Sequence, residues 1–472
     1  MPQSEEFHLR PSGWQHDPDE EWRKLSTLDY LCAMTYTNFA LLFECTHEER
    51  SNVIAVLKEG LERALSQARH LVGTIEKRQD GDHAFVKKKD STVKFEVQYL
   101  DSPSLDAIKE KHFLSSALGD IDALSNLPMT YGEKPEAHPD NSPPVSSFKA
   151  TFIPGGLIFN MHAHHYANDI SGWGSFTKLL AESCDAIVNE KTLPVLHPMC
   201  VNHSRFTIPL GPLESQITAP PQEQRNSSHR PTQALLFHLR KSKAAALKEA
   251  ASPQDGTWIS TYDALCAFTW RVFSRIRQSI FNRDLDDNLI WAEAVNMRRR
   301  LPPPHVHPRT QGNLCYPALS TTAGIPQPTV HNVISEWPLW RLARYIRAMT
   351  ESVTEDSLMA TLTAIAPIAN KCDLSVKVDS FPPMTMFVTD WREADVCTSS
   401  FGFGTPLAYR LLFDRFVEGL VIVYPAREGP AGDDEGVEVQ VSFEEELVGM
   451  LVGDKEWNAY FEFRGLDPQD EV

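Results

Sequence analysis

The sequence predicts a mixed α/β protein in two halves, and three observations predict it. Runs of β-branched and aromatic residues recur at strand spacing, amphipathic segments at helical spacing fall between them, and a proline-rich stretch without periodicity interrupts the chain near its middle. The composition agrees. With 472 residues, 42% hydrophobic and 23% charged, the chain is long enough for two or three globular domains, and disorder of the whole chain is excluded. The 45 basic and 63 acidic residues leave a formal charge of −18, which repels phosphate backbones and anionic membranes at long range. Neither a nucleic acid nor a membrane is an expected partner, and the single run Arg298-Arg299-Arg300 does not reverse this.

Taken in order, the polar residues 1–24 are expected to wrap loosely over the surface, and LSTLDYL opens residues 25–45 as a turn capped by Ser26 and Asp29. A strand is expected near 40–45. Val53, Val56, Leu57, Leu61 and Leu65 then fall at helical spacing, so residues from 52 form a helix that packs on a sheet. Two strands follow, the second at VKFEVQYL, and the proline-rich residues 132–144 read as an exposed loop. Residues 145–165 form a hairpin turning at Pro154-Gly155-Gly156. A helix is expected over 175–189.

Residues 191–231 hold seven prolines and no sustained periodicity, and read as a crossover. The domains are therefore set at 1–200 and 231–472, with a linker at 201–230. The second half opens with a strand (QALLFHLR) and a helix (KSKAAALKEAA), followed by a long helix over 259–277 with a Ser/Thr cap. Next come a strand ending at the arginines, a stiff loop at Pro302-Pro303-Pro304 and then Gly312-Asn313. Arg299 and Arg300 are expected to be exposed. Two helices follow over 338–370, then a strand ending in Thr389-Asp390-Trp391 and a terminal hairpin around REGPAGDDE. A helix over 443–463 is expected to close the chain.

The chemistry concentrates in IFNMHAHHYANDISGWGS, residues 158–175. Leu157, Phe159, Met161, Ala163 and His165 share one strand face, and Asn168, Asp169, Ser171, Gly172 and Gly174 carry turn chemistry beyond it. An imidazole at a strand's end can face a cleft on a rigid backbone and take a proton near neutral pH. Three readings compete: ordinary packed histidines, a metal site at His162, His164 and His165, and a general base at His165 supported by Asp169. No CxxC or HExxH accompanies the cluster, which weighs against metal. The eight cysteines are scattered without metal or redox spacing and read mostly as buried thiols of a reducing compartment. MPQSEEFHLR has no signal-peptide character, so a cytoplasmic protein is expected.

HHYANDISGWGSFTKLLAESC resembles the HHxxxD motif and following helix of the BAHD acyltransferases, in their fungal trichothecene O-acetyltransferase-like branch. More distantly it resembles condensation domains of peptide synthetases and chloramphenicol acetyltransferase. The resemblance runs along nearly the whole chain. It implies two similar mixed-sheet domains of the chloramphenicol acetyltransferase/condensation-domain type with the active site in the channel between them. It also implies a CoA-dependent O-acyltransferase of secondary metabolism, acetyl foremost, acting on a small hydrophobic hydroxylated metabolite. Acyl-CoA would be a cosubstrate, with no permanently bound cofactor and no metal, and a monomer is expected.

By position, the resemblance makes His165 the base, Asp169 its structural partner, and Arg298 the arginine that holds Asp169. Thr389 and Trp391 match positions that line the acceptor pocket, where a donor can hold the oxyanion. Ser400-Phe401-Gly402-Phe403-Gly404 matches the second signature, DFGWG, with serine for aspartate and phenylalanine for tryptophan. Asp395 is expected to substitute for the missing carboxylate. Ile170 stands where many members have glycine. Two alternatives use the same scaffold: a carrier-protein-dependent acyltransferase or condensation-type enzyme, and a repurposed protein with non-acyl chemistry or metabolite binding only.

Overall fold

The computed structural model describes residues 4–128, 135–209, 216–219, 225–375, 380–413, 416–427 and 433–469. In chain order the first half holds β1 (Ser4–Leu9), β2 (Glu20–Lys24), β3 (Tyr36–Glu44), α1 (Arg50–Gln67), β4 (Thr74–Lys77), β5 (His83–Lys88) and β6 (Val93–Tyr99). Then come α2 (Leu105–Glu110), β7 (Ser146–Ile153), β8 (Gly156–His164) and α3 (Ile170–Val188). The second half holds β9 (Thr232–Leu239), α4 (Lys241–Ala250), α5 (Thr261–Phe281), β10 (Trp291–Asn296), β11 (Cys315–Leu319), α6 (Leu339–Ser352) and α7 (Glu355–Ile365). It ends with β12 (Met386–Asp390), β13 (Ala408–Leu411), β14 (Leu420–Val423), β15 (Val437–Glu444), α8 (Val448–Val452) and β16 (Phe461–Gln469).

Two mixed sheets organise these elements, as the predicted fold class requires. The first has six strands in the order β1-β6-β7-β8-β3-β13, and the second has seven in the order β11-β10-β12-β14-β15-β9-β16. A small sheet, β2-β5-β4, sits apart. The strand β13 comes from the second half of the sequence yet pairs antiparallel with β3, Ala408 opposite Leu42. Helices α1 and α3 pack on each other over the first sheet, where Leu57, Leu61, Leu65, Phe176 and Leu180 join one core with Phe159 and Met161. Helix α5, which carries a full capping box between Ser260 and Asp263, centres the second core with α6.

Strand β8 explains how its sequence can alternate and still be enclosed. All nine residues are buried. Leu157, Phe159, Met161 and Ala163 enter the core under α1 and α3. On the opposite face each polar residue has a partner: Asn160 Nδ2 donates to Asn38 Oδ1 at 3.0 Å, His162 Nε2 meets Ser125 Oγ at 2.8 Å, and His164 Nε2 meets the Ala137 carbonyl at 2.8 Å. A second layer of chain, rather than water, covers that face.

Several expectations are corrected. Residues 4–24 include two strands, β1 and β2, whose mostly exposed, charged residues pair by backbone and by contacts such as Lys94 Nζ to Glu6 Oε2 at 3.0 Å. Edge strands carry little hydrophobic signal. Residues 132–134 of the predicted loop lie outside the described residues, and the remainder is partly packed, with Ala137, Pro139 and Pro143 buried. Helix α3 starts at Ile170, five residues before the predicted start, because Asp169 caps it through a 2.8 Å bond from the Gly172 amide. Its glycines serve close approach rather than a turn. A Cβ on Gly172 would lie 2.9 Å from the Gly312 carbonyl, and one on Gly174 would lie 3.0 Å from the Ala394 backbone.

The chain also closes differently. Only Val448–Val452 is α-helical after β15, and Phe461–Gln469 is a strand on β9. Gly449 and Gly453 weaken the helical stretch. Residues 428–432 of the REGPAGDDE turn lie outside the described residues. The described part of the crossover forms short 3₁₀ turns that bury Cys200 and Phe206. Among the described residues no helix is long and apolar enough to cross a membrane.

Candidate active site

A cavity of about 1040 Å³ opens between the two sheets. The first half contributes Thr37, Phe39, His165, Asp169 and Trp173, and the second contributes Glu293, Asn296, Thr389, Trp391 and Phe387. His165 follows β8 directly, and its amide donates to the Thr35 carbonyl at 2.9 Å. The Asn313 side-chain amide grips the turn from the other half, donating to the carbonyls of His165 at 3.0 Å and Tyr166 at 2.9 Å, and to Asp29 Oδ1 at 3.0 Å. Asp29 is thus more than a turn residue: it closes the 26–29 turn through Ser26 and also anchors Asn313.

The three neighbouring histidines separate by environment. Burial pushes His162 down to about 3 and His164 down to about 4, so both are neutral, hydrogen-bonded structural residues. His165 alone lines the cavity. Its Nδ1 is enclosed by protein, which leaves Nε2 as the nitrogen open to a substrate. Burial holds its pKa below the ordinary 6.5, against the opposing pull of its own backbone carbonyl and the Asp169 charge. The imidazole is therefore a free base at neutral pH. Among the described residues no group of His, Cys, Asp or Glu could hold a metal ion.

Asp169 does not orient this ring. Its Oδ1 accepts from the Gly172 amide at 2.8 Å and Arg298 Nη2 at 2.9 Å, and its Oδ2 accepts from Arg298 Nη1 at 2.8 Å and the Leu314 amide at 2.8 Å. The two side chains are 2% and 5% exposed. Arg298 spends its remaining donors on the carbonyls of Thr310 at 2.8 Å and Gly312 at 2.9 Å and on Asn296 Oδ1 at 3.3 Å. This fork-to-fork pair satisfies both charges and ties α3 to the loop after β10. Arg299 is exposed and pairs with Glu393, whereas Arg300, expected to be exposed, is half-buried with Nη1 on the Thr350 carbonyl at 3.0 Å.

At the end of β12, Trp391 Nε1 donates to Thr389 Oγ1 at 2.9 Å, which leaves the Thr389 proton free to point into the cavity. The 400–404 segment lies away from the cavity. Phe401 is fully buried against Phe43, ring centres 5.1 Å apart, and Gly402 at φ +76° fits against the backbone of Asp185. Asp395 does not substitute for the missing carboxylate. It is exposed and opens a separate turn, while Ser400 Oγ faces Asp185 of α3 at 3.4 Å. Sequence reasoning passed over Trp173, Glu293 and the pair Cys32 and Cys315 as cavity residues. Each sits in an ordinary apolar or strand pattern, and only the meeting of two halves exposes it to the cavity.

Comparisons with known proteins identify the family and the fold. Residues 13–456 match the model of the transferase family. The chain is 48% identical to the acetyltransferase FGR3 of Gibberella zeae over 99% of its own length and 95% of that protein. It is 23% identical to trichothecene 3-O-acetyltransferase TRI101 of Fusarium sporotrichioides, covering 91% of this chain and 94% of that one. Its fold is that of the F. graminearum TRI101 structure determined with coenzyme A and T-2 mycotoxin, with a TM-score of 0.76, 21% identity, and coverage of 94% and 100%. The chain therefore belongs to the transferase family of BAHD-type acyltransferases, in its fungal trichothecene O-acetyltransferase-like branch.

Proposed function

We propose that the protein transfers an acyl group, acetyl foremost, from acyl-CoA to a hydroxyl of a small hydrophobic secondary metabolite, with His165 as general base. The observation that carries this reading is a neutral imidazole opening Nε2 into a cavity shared by both halves, while the nearby carboxylate is turned away and locked by Arg298. The relatives support the substrate class: TRI101 structures hold coenzyme A together with T-2 mycotoxin or deoxynivalenol.

In this mechanism His165 Nε2 takes the acceptor's hydroxyl proton as the oxygen attacks the thioester carbonyl. The tetrahedral oxyanion accepts the free proton donor of Thr389. Collapse breaks the carbon–sulfur bond, and His165 returns its proton to the departing CoA thiolate. Base catalysis of this kind contributes about 10²–10⁴-fold and one oxyanion donor about 10²–10³-fold. The apolar walls, including Phe39, Trp173, Phe387 and Trp391, favour a ring-bearing apolar acceptor and exclude water from the reacting centre. Units 1–200 and 231–472 joined through 201–230, a monomeric state and a cytoplasmic location belong to the same reading.

Calorimetric titration with CoA and acetyl-CoA tests it, followed by an acceptor screen with His165→Ala as control. Micromolar binding and His165-dependent esters are expected. A His165→Ala enzyme with undiminished turnover would reject the mechanism.

A further inference from the structure

Eight thiols are spread along the chain, and six of them are buried. The two that are not, Cys32 and Cys315, come from opposite halves, and both line the cavity that holds His165. Two segments bring them together. Cys32 ends the short turn that begins at Asp29: its amide donates to the Asp29 carbonyl at 3.1 Å, and its own carbonyl accepts from Ser375 Oγ at 2.7 Å. Cys315 opens β11, where it pairs with Asn296 of β10. Leu314 enters the second core, so Asn313 and Cys315 share the other side of the extended chain. From that side Asn313 donates to Asp29 Oδ1 at 3.0 Å, and beside this contact the Cys32 thiol donates to Cys315 Sγ.

The hydrogen bond to Cys315 comes first, then burial and the charges of Asp29 and Asp169, and together they hold the Cys32 thiol well above the ordinary 9. Cys32 is therefore the sulfur that keeps its proton. The same two segments hold the backbone of His165, whose amide donates to the Thr35 carbonyl at 2.9 Å and whose carbonyl accepts from Asn313 at 3.0 Å. Acyl transfer uses neither thiol.

We propose that Cys32 and Cys315 are a redox modification site, which hydrogen peroxide closes into a disulfide that joins the two halves beside His165 and stops turnover. Peroxide is the oxidant and is small enough to enter the cavity. Cys315 Sγ attacks one peroxide oxygen, the O–O bond breaks, and water leaves as the sulfur becomes a sulfenic acid. Cys32 Sγ then displaces the sulfenic hydroxyl, which leaves with the Cys32 proton as a second water. Two thiols and one peroxide thus give one S–S bond and two waters. The thiol pair is the resting form in a reducing compartment, and thiol–disulfide exchange with a small dithiol restores it. The new bond clamps together the segments that position His165, and a base displaced by about 1 Å costs about a hundredfold in rate.

Non-reducing peptide mapping of the full chain after brief exposure to hydrogen peroxide, stopped with catalase, tests the site without any assay of turnover. A linked pair of peptides holding Cys32 and Cys315, an intact mass lower by two hydrogens and full reversal by dithiothreitol are expected. Cys32→Ser and Cys315→Ser should each abolish the link. The acetyl-transfer rate of the wild type should fall about a hundredfold with peroxide and return with dithiothreitol, whereas each serine variant should keep after peroxide the rate it had before. If oxidation leaves the two cysteines unlinked, or links either to a different cysteine, the proposal is overturned. It is overturned equally if the link forms and turnover is unchanged. A protein that transfers no acetyl before peroxide fails the proposed function instead, and the peptide map then decides the redox site alone.

Discussion

The two segments that resemble family signatures hold their surroundings by opposite means. At the HHxxxD end, Asp169 and Arg298 are nearly sealed from solvent and exchange two parallel hydrogen bonds, with backbone groups completing both shells. At the 400–404 end no carboxylate remains. The segment is held by Phe401 against Phe43, by Gly402 against α3, and by an exposed serine contact to Asp185. A charge pair in a low-dielectric interior stays only while both partners are present, whereas apolar packing tolerates piecemeal change. The first segment therefore depends on both charged partners, whereas the packing of the second needs no carboxylate.

Substitutions separate these two modes. The largest effect belongs to the proposed base: His165→Ala should lower kcat by about 10²–10⁴-fold in steady-state assays, with the unfolding midpoint little changed. The same imidazole sets the pH profile. Because burial lowers its pKa below 6.5, the base form predominates at neutral pH, so the acid limb of kcat/KM should have its midpoint below 6.5 and the profile should level off toward neutrality. Arg298→Ala leaves the buried Asp169 carboxyl without its cation and should destabilise the fold by about 3–5 kcal/mol in denaturant titration. Arg298→Lys should recover only part of this, since an ammonium cannot make the two parallel bonds.

Gly174→Ala drives a methyl into the Ala394 backbone and should cost about 1–3 kcal/mol. Ser400→Asp, which restores the family residue, should have the smallest effect: at most about 1 kcal/mol, destabilising because the new carboxylate meets Asp185, and relieved by salt. A stabilising Ser400→Asp would show that the serine is a defect, not an accommodation.

Much of this was legible in the sequence, and the misses share a cause. The period-two pattern of β8, the helical spacing of α1 and α5 and the glycine–asparagine pair at 312–313 are local signals, and local signals placed the main elements. Strands β1, β2 and β16 escaped because they carry charged residues at edges, where pairing is by backbone. Helix α3 was started too late because Gly172 and Gly174 look like turn residues, when they mark where another segment comes within 3.0 Å. The cover over the polar face of β8 comes from Ser125 and Ala137, residues distant in sequence, and no local pattern announces it. In the candidate site the sequence pointed to residues within each half, while the cavity walls made jointly by Trp173, Glu293 and Trp391 exist only once the halves meet.

The pairing of β13 with β3 has a consequence for biosynthesis. The outer edge of β3 is complete only when residues 408–411 arrive, more than 360 residues after Glu44 has left the ribosome. At ordinary elongation rates of about 5–20 residues per second, that edge waits roughly 20–70 s unpaired, with the apolar stretch Phe39–Leu42 uncovered. The nascent chain must therefore be shielded during translation, and a message truncated before residue 408 would yield a sticky product rather than a working half.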